Sequence, residues 1–330
     1  ARRPALMESM LEPSFRAPVN TDAPGAREGR LNAQLKRAED FEAQLNIARR
    51  FHREVAFRIG YQLLRGVIGA AEAGAAYADL ADACVSGLAA ACEKDVLSRF
   101  PGKIGSWSVC ALGKFGGREL TATSDLDLML IYEPEDDAGA SLATRFVQRL
   151  IAALSAPTEE GTLYEVDMQL RPSGRAGPVA VRFSSFERYY REDAWTWEFM
   201  TLTRLRPVAG DVALGLRIVE SARNALRAKA ADPKITDDVA DMRRRMARER
   251  PARSRWDVKL APGGLVDIEF VIQHAILMCA ADVPGAVIPT SMDAIKAIAA
   301  AGRLTPGEAA VLAEGLSFQL NLQQALRIAS

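Results

Sequence analysis

The chain is poor in histidine and cysteine and has no excess of either charge. His52 and His274 stand alone, which argues against a histidine metal site. Cys84, Cys92, Cys110 and Cys279 include no Cys-x-x-Cys pair, so the expectation is buried, reduced thiols in a cytoplasmic protein. Lysine plus arginine total 42 and aspartate plus glutamate total 42, so the chain lacks the basic field that a nucleic-acid backbone requires. No apolar run reads as membrane-spanning and no signal peptide is visible, so no membrane partner is expected. The 330 residues are enough for two compact units with a real core.

What is present concentrates in Ala111-Leu-Gly-Lys-Phe-Gly-Gly-Arg-Glu-Leu-Thr-Ala-Thr-Ser-Asp-Leu-Asp-Leu-Met-Leu-Ile-Tyr132. Trp107, Val109 and Ala111 alternate with small or polar residues as the end of a strand. A turn with Gly116 and Gly117 follows, then a second strand. The two glycines permit close approaches that a Cβ would block. Asp125 and Asp127 are two apart, so both carboxylates face one side of the second strand, while Leu126, Leu128 and Leu130 face a core. Two aspartates on a sheet edge beside a glycine turn suit magnesium and a nucleoside triphosphate. Taken singly, the glycine pair also reads as an ordinary tight turn and Asp-x-Asp as a solvated strand face.

A third carboxylate joins them. In Leu163–Leu170, Tyr164, Val166, Met168 and Leu170 take one face and Glu165, Asp167 and Gln169 the other, a strand buried on one side. Paired beside the Asp125–Asp127 strand, Asp167 completes a cluster of three anions that repel one another unless cations neutralise them. Two magnesium ions held by Asp125, Asp127 and Asp167 would do so.

Gly-Gly, Asp-x-Asp and a later strand aspartate resemble the polymerase-β-like nucleotidyltransferase superfamily, with the Gly117-to-Asp125 spacing at the short end of its pattern. Lys114–Leu128, Tyr164–Gly174, Ala194-Trp-Thr-Trp-Glu198 and Pro262-Gly-Gly-Leu-Val-Asp-Ile-Glu-Phe270 are similar to the bifunctional glutamine synthetase adenylyltransferase/adenylyl-removing enzymes, from about residue 30 onward. That family has two homologous halves: one removes AMP from glutamine synthetase by phosphorolysis and the other attaches it. Thr-Ala-Thr-Ser-Asp-Leu-Asp, Arg-Pro-Ser-Gly and Trp-Thr-Trp-Glu resemble the adenylylating half.

The resemblance implies transfer of AMP from ATP to a tyrosine of glutamine synthetase, with pyrophosphate released. Asp125, Asp127 and Asp167 would be the catalytic and metal-binding residues, with Asp167 also the best-placed base. Lys114, Gly116, Gly117, Arg118, Ser124 and Arg171 would contact the nucleotide, although each cation could equally be a structural ion pair. A homologous deadenylylating half and a PII-type nitrogen signal protein would be partners. The other readings are the deadenylylating half itself, a nucleotidyltransferase with a different acceptor, and a nucleotide-sensing module without turnover.

The expected fold is α+β: a small mixed sheet with flanking helices, then a C-terminal helical bundle. Residues 1–29 are an extension whose Leu6, Met7, Met10 and Leu11 suggest a short docking helix. Residues 30–210 form the nucleotidyltransferase domain, with helices over 31–66 and 75–99 packed antiparallel as a buttress. Arg49, Arg50, Arg53, Arg58 and Arg65 read as a solvated face. The aromatics from Phe186 to Phe199 read as core or as a wall of the substrate pocket, and Arg204 and Arg206 could face phosphate. Residues 211–330 are helical, with a basic run from Arg243 to Arg255 and Asp267 and Glu269 in the first turns of a helix. The chain opens on Ala1 and stops within a helical pattern, as a piece of a longer protein would.

Overall fold

The structure is a computed structural model that describes residues 13–19, 22–23, 25–254 and 256–329. The apolar pieces between Leu6 and Leu11, and Arg255, lie outside the described residues. After a single helical turn at Pro13–Arg16, three longer helices follow: α1 (Ala26–Leu35), α2 (Phe41–Leu64) and α3 (Ala70–Arg99). The single helix expected over 31–66 is two, because Asp40 turns extended and its carboxylate accepts from Ala43 N at 2.7 Å, starting α2 afresh.

The α3 helix is long and apolar enough by composition to cross a membrane, contrary to the sequence reading. Here it is a core helix: alanines and Leu80, Val85 and Leu88 bury it against α1, α2 and a later helix. Of the arginines expected on a solvated face, Arg50 and Arg65 are exposed, but Arg49 is not. Arg49 is buried and donates to Leu45, Ala153, Ala156 and Gly161 carbonyls, at 2.6–3.1 Å. It thereby satisfies the C-terminal end of α5 (Asp137–Ser155). Arg50 and Arg53 both pair with Glu160.

The sheet has five strands: β1 (Ser106–Ala111), β2 (Leu126–Glu133), β3 (Val166–Asp167), β4 (Ala180–Arg182) and β5 (Arg206–Gly210). β1 is antiparallel to both β2 and β5. β3 and β4 lie in succession along the same edge of β2, both parallel to it: Asp127 faces Asp167 near its start and Ile131 faces Val181 further along. A single turn, α4 (Gly113–Gly116), links the end of β1 towards β2.

Alternation on β2 divides two cores. Leu126, Leu128 and Leu130 pack with α1, α2, α3 and α5, while Met129 and Ile131 pack on the opposite face. That second face is covered by α6 (Phe183–Glu192), α7 (Thr196–Leu202), α8 (Val212–Lys229) and α10 (Leu265–Cys279). α9 (Ile235–Glu249), α11 (Ser291–Ala300) and α12 (Pro306–Ala329) complete the helical layer. Phe186, Tyr190 and Phe199 belong to this core, whereas Trp195 and Trp197 are exposed. All four cysteines are buried free thiols, and burial pushes those of Cys84, Cys92 and Cys110 up to about 12.

Candidate active site

The site forms where cover on the second face of β2 gives out. Asp127 lies on the face of Met129 and Ile131, but at the start of the strand, beyond the helices that seal those two. Asp125 precedes the strand and is exposed. Asp167 is the register partner of Asp127 on the adjacent parallel strand, and neighbouring strands lie about 4.8 Å apart. The three carboxylates predicted to converge therefore share one rim. Burial first, and then the charges of Asp125 and Asp167, push the Asp127 pKa up to about 7, against weaker opposition from Lys259 and Arg204.

Asp167 is held by its own chain. Its Oδ1 accepts from Gln169 N at 2.7 Å and its Oδ2 from Gln169 Nε2 at 3.1 Å. This Asx-type turn curls the backbone out of the ladder. The strand expected over Leu163–Leu170 is consequently only Val166–Asp167. The turn leaves Asp167 at the last paired position, beside Asp127.

The glycine turn makes the close approaches expected of it, while its amides are spent within it. Gly116 N donates to Leu112 O at 2.7 Å and Gly117 N to Gly113 O at 3.0 Å, so both amides are engaged within the turn. Their contribution is the missing side chain. A Cβ on Gly116 would stand 2.0 Å from Arg204 O, and one on Gly117 3.2 Å from Pro289 O. Gly113, which the sequence reading passed over, is closest to the chemistry: it has φ +52°, and a Cβ there would stand 2.1 Å from Asp127 Oδ2. Its signal was its place directly after the end of β1, where the chain must turn sharply past the next strand.

Of the other predicted contacts, Lys114 Nζ donates to Gln323 Oε1 at 2.9 Å, joining α4 to α12. Ser124 Oγ accepts from Thr121 N at 2.9 Å, closing the loop ahead of Asp125. Arg118, at φ +58°, pairs with Asp79 at 2.7 Å and reaches Asp82 at 3.7 Å. Arg171 is buried and donates to the carbonyls of Met168, Gly177 and Pro178, at 2.6–3.0 Å. It therefore shapes the loop between β3 and β4.

Arg204 and Arg206 brace the turn from behind. Arg206 grips Asp82 with two bonds of 2.8 and 3.0 Å and donates to Phe115 O at 3.2 Å. Arg204 is fully buried, pairs with Glu119 at 3.1 Å and Glu269 at 3.3 Å, and donates to Ser291 Oγ at 2.8 Å. Burial opposes its charge, but Glu119 and Glu269 prevail and raise its pKa. Through Glu269 the Pro262–Phe270 motif is tied to the site, while Asp267 pairs with Arg243. Glu198 of the Trp-Thr-Trp-Glu motif is a core acceptor, taking Tyr189 OH at 2.7 Å and Trp195 N at 2.8 Å.

Among the described residues no three acidic, cysteine or histidine side chains form a preassembled metal cage. The donor set still suits a hard divalent cation: three carboxylates share a rim, with Asp127 strained toward protonation. A cavity of about 550 Å³ lined by Glu187, Tyr190, Phe199 and Lys229 lies elsewhere and includes none of the three aspartates.

Residues 1–221 match the family described as glutamate-ammonia ligase adenylyltransferase. The chain belongs to that family. Residues 234–330 match a second description, GlnD PII-uridylyltransferase. Among curated relatives, a bifunctional glutamine synthetase adenylyltransferase/adenylyl-removing enzyme of Caulobacter vibrioides is 41% identical over 342 residues, covering 100% of this chain and 33% of the relative. Proteins of the same description from Brucella suis and Xanthobacter autotrophicus are 43% and 40% identical, covering 99% and 100% of this chain and 34% of each relative. The chain thus spans about a third of the length of these members of the glutamate-ammonia ligase adenylyltransferase family.

Proposed function

We propose that this chain transfers AMP from ATP to a tyrosine hydroxyl of glutamine synthetase. The tyrosyl oxygen attacks the α-phosphorus, the bond to the β-phosphate breaks, and pyrophosphate leaves. The observation that carries this reading is the Asp127–Asp167 register pair, with Asp125 beside it and the Gly113–Gly117 turn against it. Family membership supplies the acceptor, because the relatives' names specify glutamine synthetase.

Asp125, Asp127 and Asp167 would hold magnesium, in our reading two ions. Bound magnesium would neutralise the triphosphate and make the tyrosyl hydroxyl easier to deprotonate. Asp167, the register partner of Asp127, is the candidate base. Lys114, with Arg118 and Ser124 around the turn, would contact the phosphates. Gly116 and Gly117 allow that turn to lie close to the chain at Arg204 and Pro289, and Arg171 fixes the loop that follows Asp167.

The relatives' names carry both adenylyl transfer and adenylyl removal, so the deadenylylating half is the second reading. Thr-Ala-Thr-Ser-Asp-Leu-Asp and Arg-Pro-Ser-Gly favour the adenylylating half. We also propose that residues 211–330 provide a docking surface for the protein acceptor, with a PII-type signal protein as regulator. The test is incubation with labelled ATP, magnesium and unmodified glutamine synthetase, followed by mass analysis of the acceptor peptides. The reading predicts one adenylylated tyrosine; phosphate-dependent AMP release from the modified enzyme, without incorporation, would transfer the assignment to the other half.

A further inference from the structure

A cavity of about 480 Å³ lies where the start of α3, the chain just after the α4 turn, the start of α11 and the middle of α12 meet. None of Asp125, Asp127 and Asp167 lines it, so it is separate from the carboxylate rim. Its apolar wall comes from Ala71 and Ala75 of α3, Met292 of α11, and Leu316 and Leu320 of α12. Both the volume and the mixed lining suit a small organic molecule. The same helix that forms much of this wall also holds the turn. Gln323 Oε1 accepts from Lys114 Nζ at 2.9 Å, and Gln324 Nε2 donates to Leu120 O at 2.8 Å. These two bonds pin the segment that carries Gly116 and Gly117 at both ends.

Gln324 lines the cavity and is 3% exposed. The carbonyl of Leu120 fixes which end of its amide is nitrogen. The other end, Oε1, has no hydrogen-bond partner among the described residues. A buried acceptor left unpaired is costly, and a donor brought by an occupant would relieve it. The charged groups of the lining are already engaged. Arg118 pairs with Asp79 and Asp82, and Glu119 with Arg204 and the Ser291 amide. Glu72 accepts from Gly69 N, and Asp293 pairs with Lys296. Glu72 and Asp293 are exposed, so they set a negative sign at the cavity's edge. The lining therefore asks for a donor and an apolar body, and disfavours an anion.

We propose that this cavity is a second ligand site, for a small apolar molecule ending in a hydroxyl or amino donor that bonds Gln324 Oε1. Such a molecule would pack on the helix that pins the catalytic turn. The proposal goes beyond the nucleotidyltransferase reading and does not depend on it. The test titrates the full chain with three probes of one shape: 1-naphthalenemethanol, 1-naphthylmethylamine and 1-naphthoate. Wild type is compared with Gln324→Leu, which removes the acceptor, and with Ser317→Trp, which blocks the cavity from an exposed position of α12. The alcohol and the amine should bind wild type with Kd of about 1 mM or tighter, and the carboxylate at least about tenfold more weakly. Each variant should weaken the alcohol and the amine by about tenfold. No binding of either donor probe at 10-fold that concentration, equal binding of the carboxylate, or donor-probe affinity unchanged in Ser317→Trp would overturn the proposal. If Gln324→Leu fails to fold, Ser317→Trp decides alone.

Discussion

Asp127 is held where a carboxylate is costly to ionise, through burial first and then the charges of Asp125 and Asp167. Its folded pKa of about 7 lies above the ordinary 3.8, so without metal the native state loses stability as pH rises between those values. Asp127→Asn should therefore stabilise the metal-free chain. The gain should be absent near pH 4, grow through the acid range and level off above pH 7, at about 1–2 kcal/mol after solvent screening. Thermal melts in chelator across that range would show it; a variant less stable than wild type at pH 8 would contradict the electrostatic account. Arg204 should behave oppositely. Arg204→Met strands Glu119 and Glu269 in the interior and should cost about 3–5 kcal/mol in denaturant titrations. A loss below about 1 kcal/mol would mean that the pair does not hold the turn.

At the scale of elements, the α4 turn leaves no room for a side chain at Gly113 or Gly116. Gly113→Ala must push a methyl against Asp127 Oδ2 and adopt a left-handed φ. It should lower transfer by about a hundredfold, read as initial rates at saturating ATP, while a surface control such as Gly29→Ala, with open space around it, should leave the rate unchanged. Much of this architecture was legible. Helical spacing located α2 and α3, period-two alternation brought Asp127 and Asp167 to neighbouring strands, and residue spacing put Asp125 beside them. What stayed hidden depended on tertiary partners. The buried role of Arg49 arises from carbonyls more than a hundred residues away. Likewise, the amides of Gly116 and Gly117 are spent inside a helical turn whose formation two glycines do not announce. Asp40 was a readable cap that should have split the first long helix.

Over the whole molecule, the strands and the later helices share one core on the second face of the sheet, and from that layer Glu269 pairs with Arg204 and Gln323 with Lys114 of the turn. Motifs 150 residues apart in sequence are thereby tied to one site. The same layer carries the basic helix α9, where Arg243 is paired with Asp267 and Arg244 with Asp241, while Arg245 and Arg248 are exposed. Reversing the charge of Arg245 and Arg248 together should raise KM for the protein acceptor about three- to tenfold and spare KM for ATP, with the effect fading at high salt. Equal modification of a short tyrosyl peptide and of intact glutamine synthetase would remove the docking surface from the account.

The account's central claim is that the aspartate rim performs adenylyl transfer. Its most direct test is the initial rate of AMP incorporation into unmodified glutamine synthetase by wild type and Asp127→Asn, at saturating magnesium and ATP. The account predicts magnesium-dependent incorporation on tyrosine by wild type and a loss of at least about a hundredfold in the variant, with thermal stability retained. Near-normal incorporation by Asp127→Asn, or none by a folded wild-type chain that binds ATP, would contradict it.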